Sequence, residues 1–105
     1  MDTSRGIATI AGALPPDLVA GVQLASIGEV DVVDVTHDSR QVRPGWMFAC
    51  VVGATVDGHA FASEAVEAGA TALLVERVLP LDVAQVVVAD VRRAMGLVAA
   101  EVHGR

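Results

Sequence analysis

With 105 residues, 53% of them hydrophobic, the chain has the length and apolar content of one folded domain, and disorder across its body is excluded. Its net charge of −6 and 3% aromatic content leave neither the cationic face that nucleic-acid phosphates demand nor a base-stacking surface. Lys is absent, which excludes Schiff-base chemistry, and the lone Cys50, set among apolar neighbours, reads as a buried, inert thiol without a disulfide partner.

Residues 1–28 read as a lead-in segment. Residues 1–13 show no clear periodicity, lack a convincing signal peptide and are too short and Gly-interrupted to span a membrane. A cytoplasmic location without a membrane partner is expected. Pro15-Pro16-Asp17 has the composition of a helix start, and Leu18, Val19, Val22 and Leu24 predict a short helix ending near Gly28.

From Glu29 onward the pattern changes. "EVDVVDVTHDS" alternates apolar and acidic residues through Val30, Val32 and Val35, a strand pattern. "WMFACVV" is apolar at successive positions, as in an interior strand covered on both faces. "DGHAFASEAVEAGA" places Phe61, Ala65 and Val66 at helical spacing, with Glu64 and Glu67 toward water and Gly69 as the stop. "TALLVE" and "QVVVAD" predict two more strands, joined by a connector held by Pro80. Asp90 caps a last helix with Val91, Met95, Val98 and Ala99 inward, in which Gly96 costs about 1 kcal/mol against Ala. This order predicts an α/β fold: three layers, with a mixed, Val-rich sheet of about four to five strands flanked by helices.

No Gly-rich phosphate loop or dinucleotide fingerprint occurs, and His37, His59 and His103 lack metal-site spacing. The chemistry-bearing residues sit where strands end. Asp38-Ser39-Arg40 follows the first strand, the position at which ligands of α/β folds bind. The Ser39 hydroxyl suits a uracil edge, a ribose or a phosphate oxygen, and Arg40 can fork onto a phosphate or carboxylate. Turn chemistry explains the same residues: Asp38 and Ser39 cap nearby backbone N–H groups while Arg40 pairs with Asp38 or Asp57. Gly53-Ala54-Thr55-Val56 is either a loop that a ligand approaches closely or a plain strand-to-helix link with Asp57 as its N-cap. Gly58 then falls in the first helical turn beside a structural His59. Trp46 either shields the site or packs on the lead-in helix.

Taken in order, T-H-D-S-R-x-V-x-P-G-x-x-F (36–48), G-x-x-x-D-G-H-x-F (53–61), A-x-x-x-G-A-T-A-L-L-V-E (65–76) and V-x-D-V-R-x-A-M-G (88–96) form a set. The set resembles the N-terminal domain of the Mur ligases, the ATP-dependent amide ligases that extend the peptide of peptidoglycan precursors, over about three quarters of the chain. "THDSR" and the last helix look most like the MurE type, and a MurF type also shares the D-S-R and D-G-H elements. The resemblance implies that residues 29–105 anchor the uridine-diphosphate end of UDP-MurNAc-L-Ala-D-Glu. His37, Ser39, Ala54, Thr55 and Val56 would contact it, with Asp38, Arg40, Asp57 and His59 supporting the site. It implies no catalytic residue, metal or cofactor within this stretch. ATP, Mg²⁺ and the chemistry would belong to central and C-terminal domains expected to follow at about Arg105. In the family an acidic residue usually follows P-G, where this chain has Trp46. The competing expectation is a non-catalytic interaction or regulatory domain that kept the fold.

Overall fold

The computed structural model describes residues 5–103. Its elements in chain order are β1 (Arg5–Gly6), α1 (Ile7–Gly12), β2 (Val19–Gln23), β3 (Asp31–Val32), β4 (Val35–Thr36), β5 (Met47–Ala49), α2 (Ala62–Glu67), β6 (Ala72–Val75), β7 (Ala84–Val88) and α3 (Val91–His103). Short 3-10 turns cover Ser39–Gln41 and Gly58–Phe61. The main sheet has five strands in the order β2-β7-β6-β5-β4, parallel except for the antiparallel edge strand β2, and β1 and β3 form a small separate ladder. The expected mixed sheet flanked by helices is therefore present.

Alternation across the strands divides the core into two layers. Met47, Ala49, Ala72, Leu74, Val86 and Val88 face one side with Ile7 and Ile10 of α1 and Val91, Ala94, Val98 and Val102 of α3. Phe48, Cys50, Leu73 and Val75 face the other with Val42, Ala62 and Ala65. Strands β4 to β7 lie side by side in sequence order, so crossovers of one hand must all run over the same face. The residues linking β4–β5, β5–β6 and β6–β7 do contribute to that second layer through Val42, Ala62, Ala65 and Val83. The opposite face is left to α1 and α3.

The link from β6 to β7 contains no helix, and its polar groups need an internal partner. Gln85, fully buried on β7, supplies it. Its Oε1 accepts from Leu79 N–H (2.8 Å), and its Nε2 donates to the carbonyls of Leu79 (2.9 Å) and Leu81 (3.3 Å).

Three expectations are corrected. The helix expected from Pro15 toward Gly28 is instead a turn followed by β2, which pairs with β7 through a register shift between Val19 and Gly21. The bulge breaks the two-residue alternation, so the apolar spacing mimics a helix. Residues 5–12, read as loose, form β1 and α1, whose Ile7 and Ile10 are fully buried. The single strand expected across Val30–Val35 breaks at Val33–Asp34: β3 joins the small ladder and β4 the main sheet.

The final helix begins as expected, with Asp90 Oδ1 accepting from Arg93 N–H at 3.2 Å. No helix among the described residues is long and apolar enough to cross a membrane.

Candidate functional site

The loops after β4, β5 and β6 all leave the C-terminal ends of neighbouring parallel strands and converge on one edge of the sheet. After β4, the chain needs a sharp turn to re-enter as β5. The buried Thr36 hydroxyl accepts from Asp38 N–H (3.1 Å) and donates to Gln41 Oε1 (3.1 Å). Asp38 Oδ1 then caps the turn by accepting from Arg40 N–H at 2.9 Å, and its carboxylate takes the Arg40 guanidinium at 3.0–3.1 Å. That guanidinium holds the Asp38 carboxyl below its ordinary range. Thr36 escaped the sequence reading because its role depends on a partner five residues away.

This turn borders a cavity of about 340 Å³ lined by His37, Asp38, Ser39, Arg40, Phe48, Phe61 and Glu64. Ser39 is half-buried, and its hydroxyl has no hydrogen-bond partner among the described residues. Phe61, expected on the buried face of its helix, is instead partly exposed in the cavity wall. Glu64 stands one helical turn further on. That i, i+3 pair after D-G-H was the available signal for both.

The loop after β5 is held by a different set of contacts. Gly53 N–H donates to Val56 O at 2.8 Å, and Val52 pairs with Asp57. Ala54, Thr55 and Val56 are exposed on this loop and are not part of the cavity wall at 37–40. Asp57 Oδ1 accepts from His59 N–H (2.9 Å) and lies 2.6 Å from His59 Nδ1, and its second oxygen accepts from Arg77 at 3.2 Å. These bonds, chiefly those to His59, lower the Asp57 carboxyl to about 2.

His59 is buried, and its Nε2 accepts from Glu76 N–H at 3.0 Å. A backbone donor there requires a bare ring nitrogen, which puts the ring proton on Nδ1, toward Asp57. Glu76 Oε2 in turn accepts from Val91 N–H (3.0 Å) at the start of α3. His59 is thus a structural link between the loop and the β6–α3 region. Of the two carboxylates weighed for Arg40, the structure selects Asp38.

Cys50 is fully buried, and desolvation pushes its thiol up to about 12, so it stays protonated and unreactive. Trp46 packs with the layer of Phe48 and Val42, on the sheet face opposite α1. The expectation that it rests on the lead-in helix is corrected, because its alternation parity matches Phe48. No group of three or more metal-ligating side chains comes together among the described residues.

Residues 31–103 match the family model described as "Mur ligase family, catalytic domain". The chain belongs to the Mur ligase family. It is 51% identical over 78 residues to the UDP-N-acetylmuramoyl-L-alanyl-D-glutamate--2,6-diaminopimelate ligase of Geobacillus thermodenitrificans (strain NG80-2), covering 74% of this chain and 16% of that protein. The corresponding ligase of Halalkalibacterium halodurans is 44% identical over 88 residues, covering 84% of this chain and 18% of that protein. Among solved structures, MurF from Acinetobacter baumannii superposes with a TM-score of 0.63 at 33% identity, covering 69% of this chain and 16% of that one. The chain thus spans about a sixth of the length of these Mur ligases.

Proposed function

We propose that this Mur ligase domain anchors the uridine-diphosphate part of UDP-MurNAc-L-Ala-D-Glu for an ATP-dependent ligase of the MurE type. The observation that carries the reading is the Ser39 hydroxyl: half-buried, unpaired among the described residues, and in the wall of a cavity at the C-terminal end of a parallel strand. Phe48 and Phe61 add apolar surface beside it, as a nucleoside ring requires. The relatives named for a UDP-N-acetylmuramoyl-dipeptide substrate support this ligand over others.

The role is positional. Binding the remote nucleotide orients the far carboxylate of the substrate, and the binding energy of the handle offsets the entropy of alignment. ATP, Mg²⁺ and the acyl-transfer step belong, in this reading, to the domains that accompany this one in the family. The MurF-type reading has one observation in its favour, the fold match to the A. baumannii enzyme, whereas the higher identities favour the MurE type.

Titration with UDP and UDP-MurNAc, followed by backbone amide shifts, tests the site. Shifts are expected at 37–40, 48 and 61, and further shifts at 54–56 would make that loop a second wall. Ser39→Ala is expected to weaken UDP binding about threefold to tenfold with the fold unchanged. Unchanged affinity would overturn the assignment and leave a domain that kept the fold without the ligand.

A further inference from the structure

The five-stranded sheet ends in two unlike edges. At one, β4 is only two residues long and is flanked by Asp34, His37 and Asp38. His103, at the end of α3, reaches Asp34 Oδ1 at 3.0 Å beside it. Shortness and charge both discourage a further strand from joining there. At the other edge, β2 runs five residues, Val19–Gln23, and pairs with β7 alone. Alternate N–H and C=O groups of an edge strand face away from its sheet, and no described strand pairs with that side of β2.

The charge and proline that protect β-edges are missing here. Residues 18–28, LVAGVQLASIG, contain no charged residue and no Pro, in a chain that is 19% charged. Val22, within the strand, and Leu24, just past it, are 44% and 46% exposed, and Ile27 is 80% exposed. Ile27 sits in a turn that is held rather than loose. Gly28 N–H donates to Ala25 O at 2.9 Å, Ser26 N–H donates to Asp82 Oδ1 at 2.8 Å, and the Ser26 hydroxyl donates to Asp82 Oδ2. The strip is therefore apolar, exposed and already ordered, so little entropy is lost when it docks.

We propose that β2 is a self-association edge, along which a second copy of this chain pairs its own β2 antiparallel about a two-fold axis and joins two five-stranded sheets into one. An antiparallel strand is its own complement about such an axis, so one open edge supplies both halves of the interface. The charge distribution selects this occupant. Two copies at −6 each repel, and the uncharged strip lets them meet without setting carboxylates face to face. A charged partner would find no counter-charge on it. Five residues at about 3.4 Å each give about 17 Å of edge, a small interface, so association depends on concentration. Three strands separate this edge from β4 and the Ser39 cavity, and the pairing does not rest on a nucleotide.

Sedimentation equilibrium of the 105-residue chain over a concentration series is expected to show a reversible monomer–dimer equilibrium. Amide hydrogens of residues 19–23 are expected to exchange more slowly as the dimer fills. Val22→Lys is expected to weaken association about tenfold or more, although it moves the net charge from −6 to −5 and so lessens the general repulsion. Val56→Lys, the same change at an exposed Val on the loop after β5, should not weaken it. Ile27→Gln alters only an exposed turn tip and is expected to weaken association about threefold, which keeps the test open if Val22→Lys fails to fold. A chain that stays monomeric at millimolar concentration overturns the proposal. So does a dimer that both Val22→Lys and Ile27→Gln leave intact, or one whose 19–23 amides exchange as fast as the monomer's. Growth into species larger than the dimer would mean a head-to-tail contact and would overturn the two-fold pairing.

Discussion

Asp38-Ser39-Arg40 and Asp57-Gly58-His59 are the same device used twice. Each Asp has an extended backbone (φ −109°, ψ 110° and φ −100°, ψ 115°), caps a 3-10 turn through the N–H two residues on, and grips that residue's side chain as well. The difference lies in what the third residue does next. Arg40 points to solvent, its side chain 88% exposed, so the first turn holds itself by local contacts and keeps its middle residue free to meet a ligand. His59 is buried and reaches Glu76, while Asp57 reaches Arg77, so the second turn is tied to residues about twenty positions away. A local motif therefore sets the shape of each turn, and burial of its last residue decides whether that turn serves the core or the surface.

The sharpest way to break this pairing is to exchange the middle residues. A Cβ on Gly58 would lie 2.7–2.8 Å from the backbone N and O of Val51, atoms that cannot move aside. Gly58→Ser is expected to destabilise the fold by about 3 kcal/mol, whereas Ser39→Gly should leave the urea midpoint nearly unchanged while weakening UDP binding. A Gly58→Ser protein of ordinary stability would mean the two turns are interchangeable. Next in size is His59→Ala, which leaves the Glu76 N–H without its acceptor and opens a buried gap. About 2–4 kcal/mol is expected, measured by chemical denaturation.

Both turns were legible from the sequence because Asp capping is local chemistry, and the Val-rich strands were legible because both their faces are buried. What escaped depends on distant partners. Gln85 reads as an ordinary strand residue until the helix-free β6–β7 link shows which backbone groups it satisfies. Val19–Gln23 reads as helix because a bulge disturbs its alternation, and pairing with β7 decides the matter. Ile7, Ile10 and Leu14 carried the spacing of a helix face, hidden among small residues. At the site, Ser39 was found by its position after a strand. Phe48 reads as core and is core, whereas Phe61 reads as the buried face of its helix and instead stands partly exposed in the cavity wall, a difference that leaves no mark on the spacing.

Acid titration separates the two turns more finely. In the folded state the Asp57 carboxyl is lowered from 3.8 to about 2, so above pH 4 it contributes stability. Between about pH 4 and pH 2 the unfolded chain binds the proton more readily, and that contribution falls as the pH is lowered. Asp57→Asn is expected to flatten the dependence of the urea midpoint on pH in this window. Asp38 is shifted in the same direction by Arg40, yet its partner is solvated and screened, so Asp38→Asn should flatten the curve less. An equal effect would show that burial of the third residue does not strengthen the carboxylate's hold.

The smallest expected effect is that of Arg40→Ala. The exposed ion pair with Asp38 is lost, but the cap from Asp38 to the backbone N–H of residue 40 does not use the side chain and survives. Surface pairs of this kind contribute little, and salt screens them further. The urea midpoint should therefore stay within error of the parent protein at moderate salt, in contrast to His59→Ala at the matching position. Moderate salt should also leave the parent's own midpoint unaffected by loss of the Asp38–Arg40 attraction. A drop comparable with that of His59→Ala would show that the first turn is held by its side-chain pair rather than by its backbone cap, and the distinction drawn between the two turns would fail.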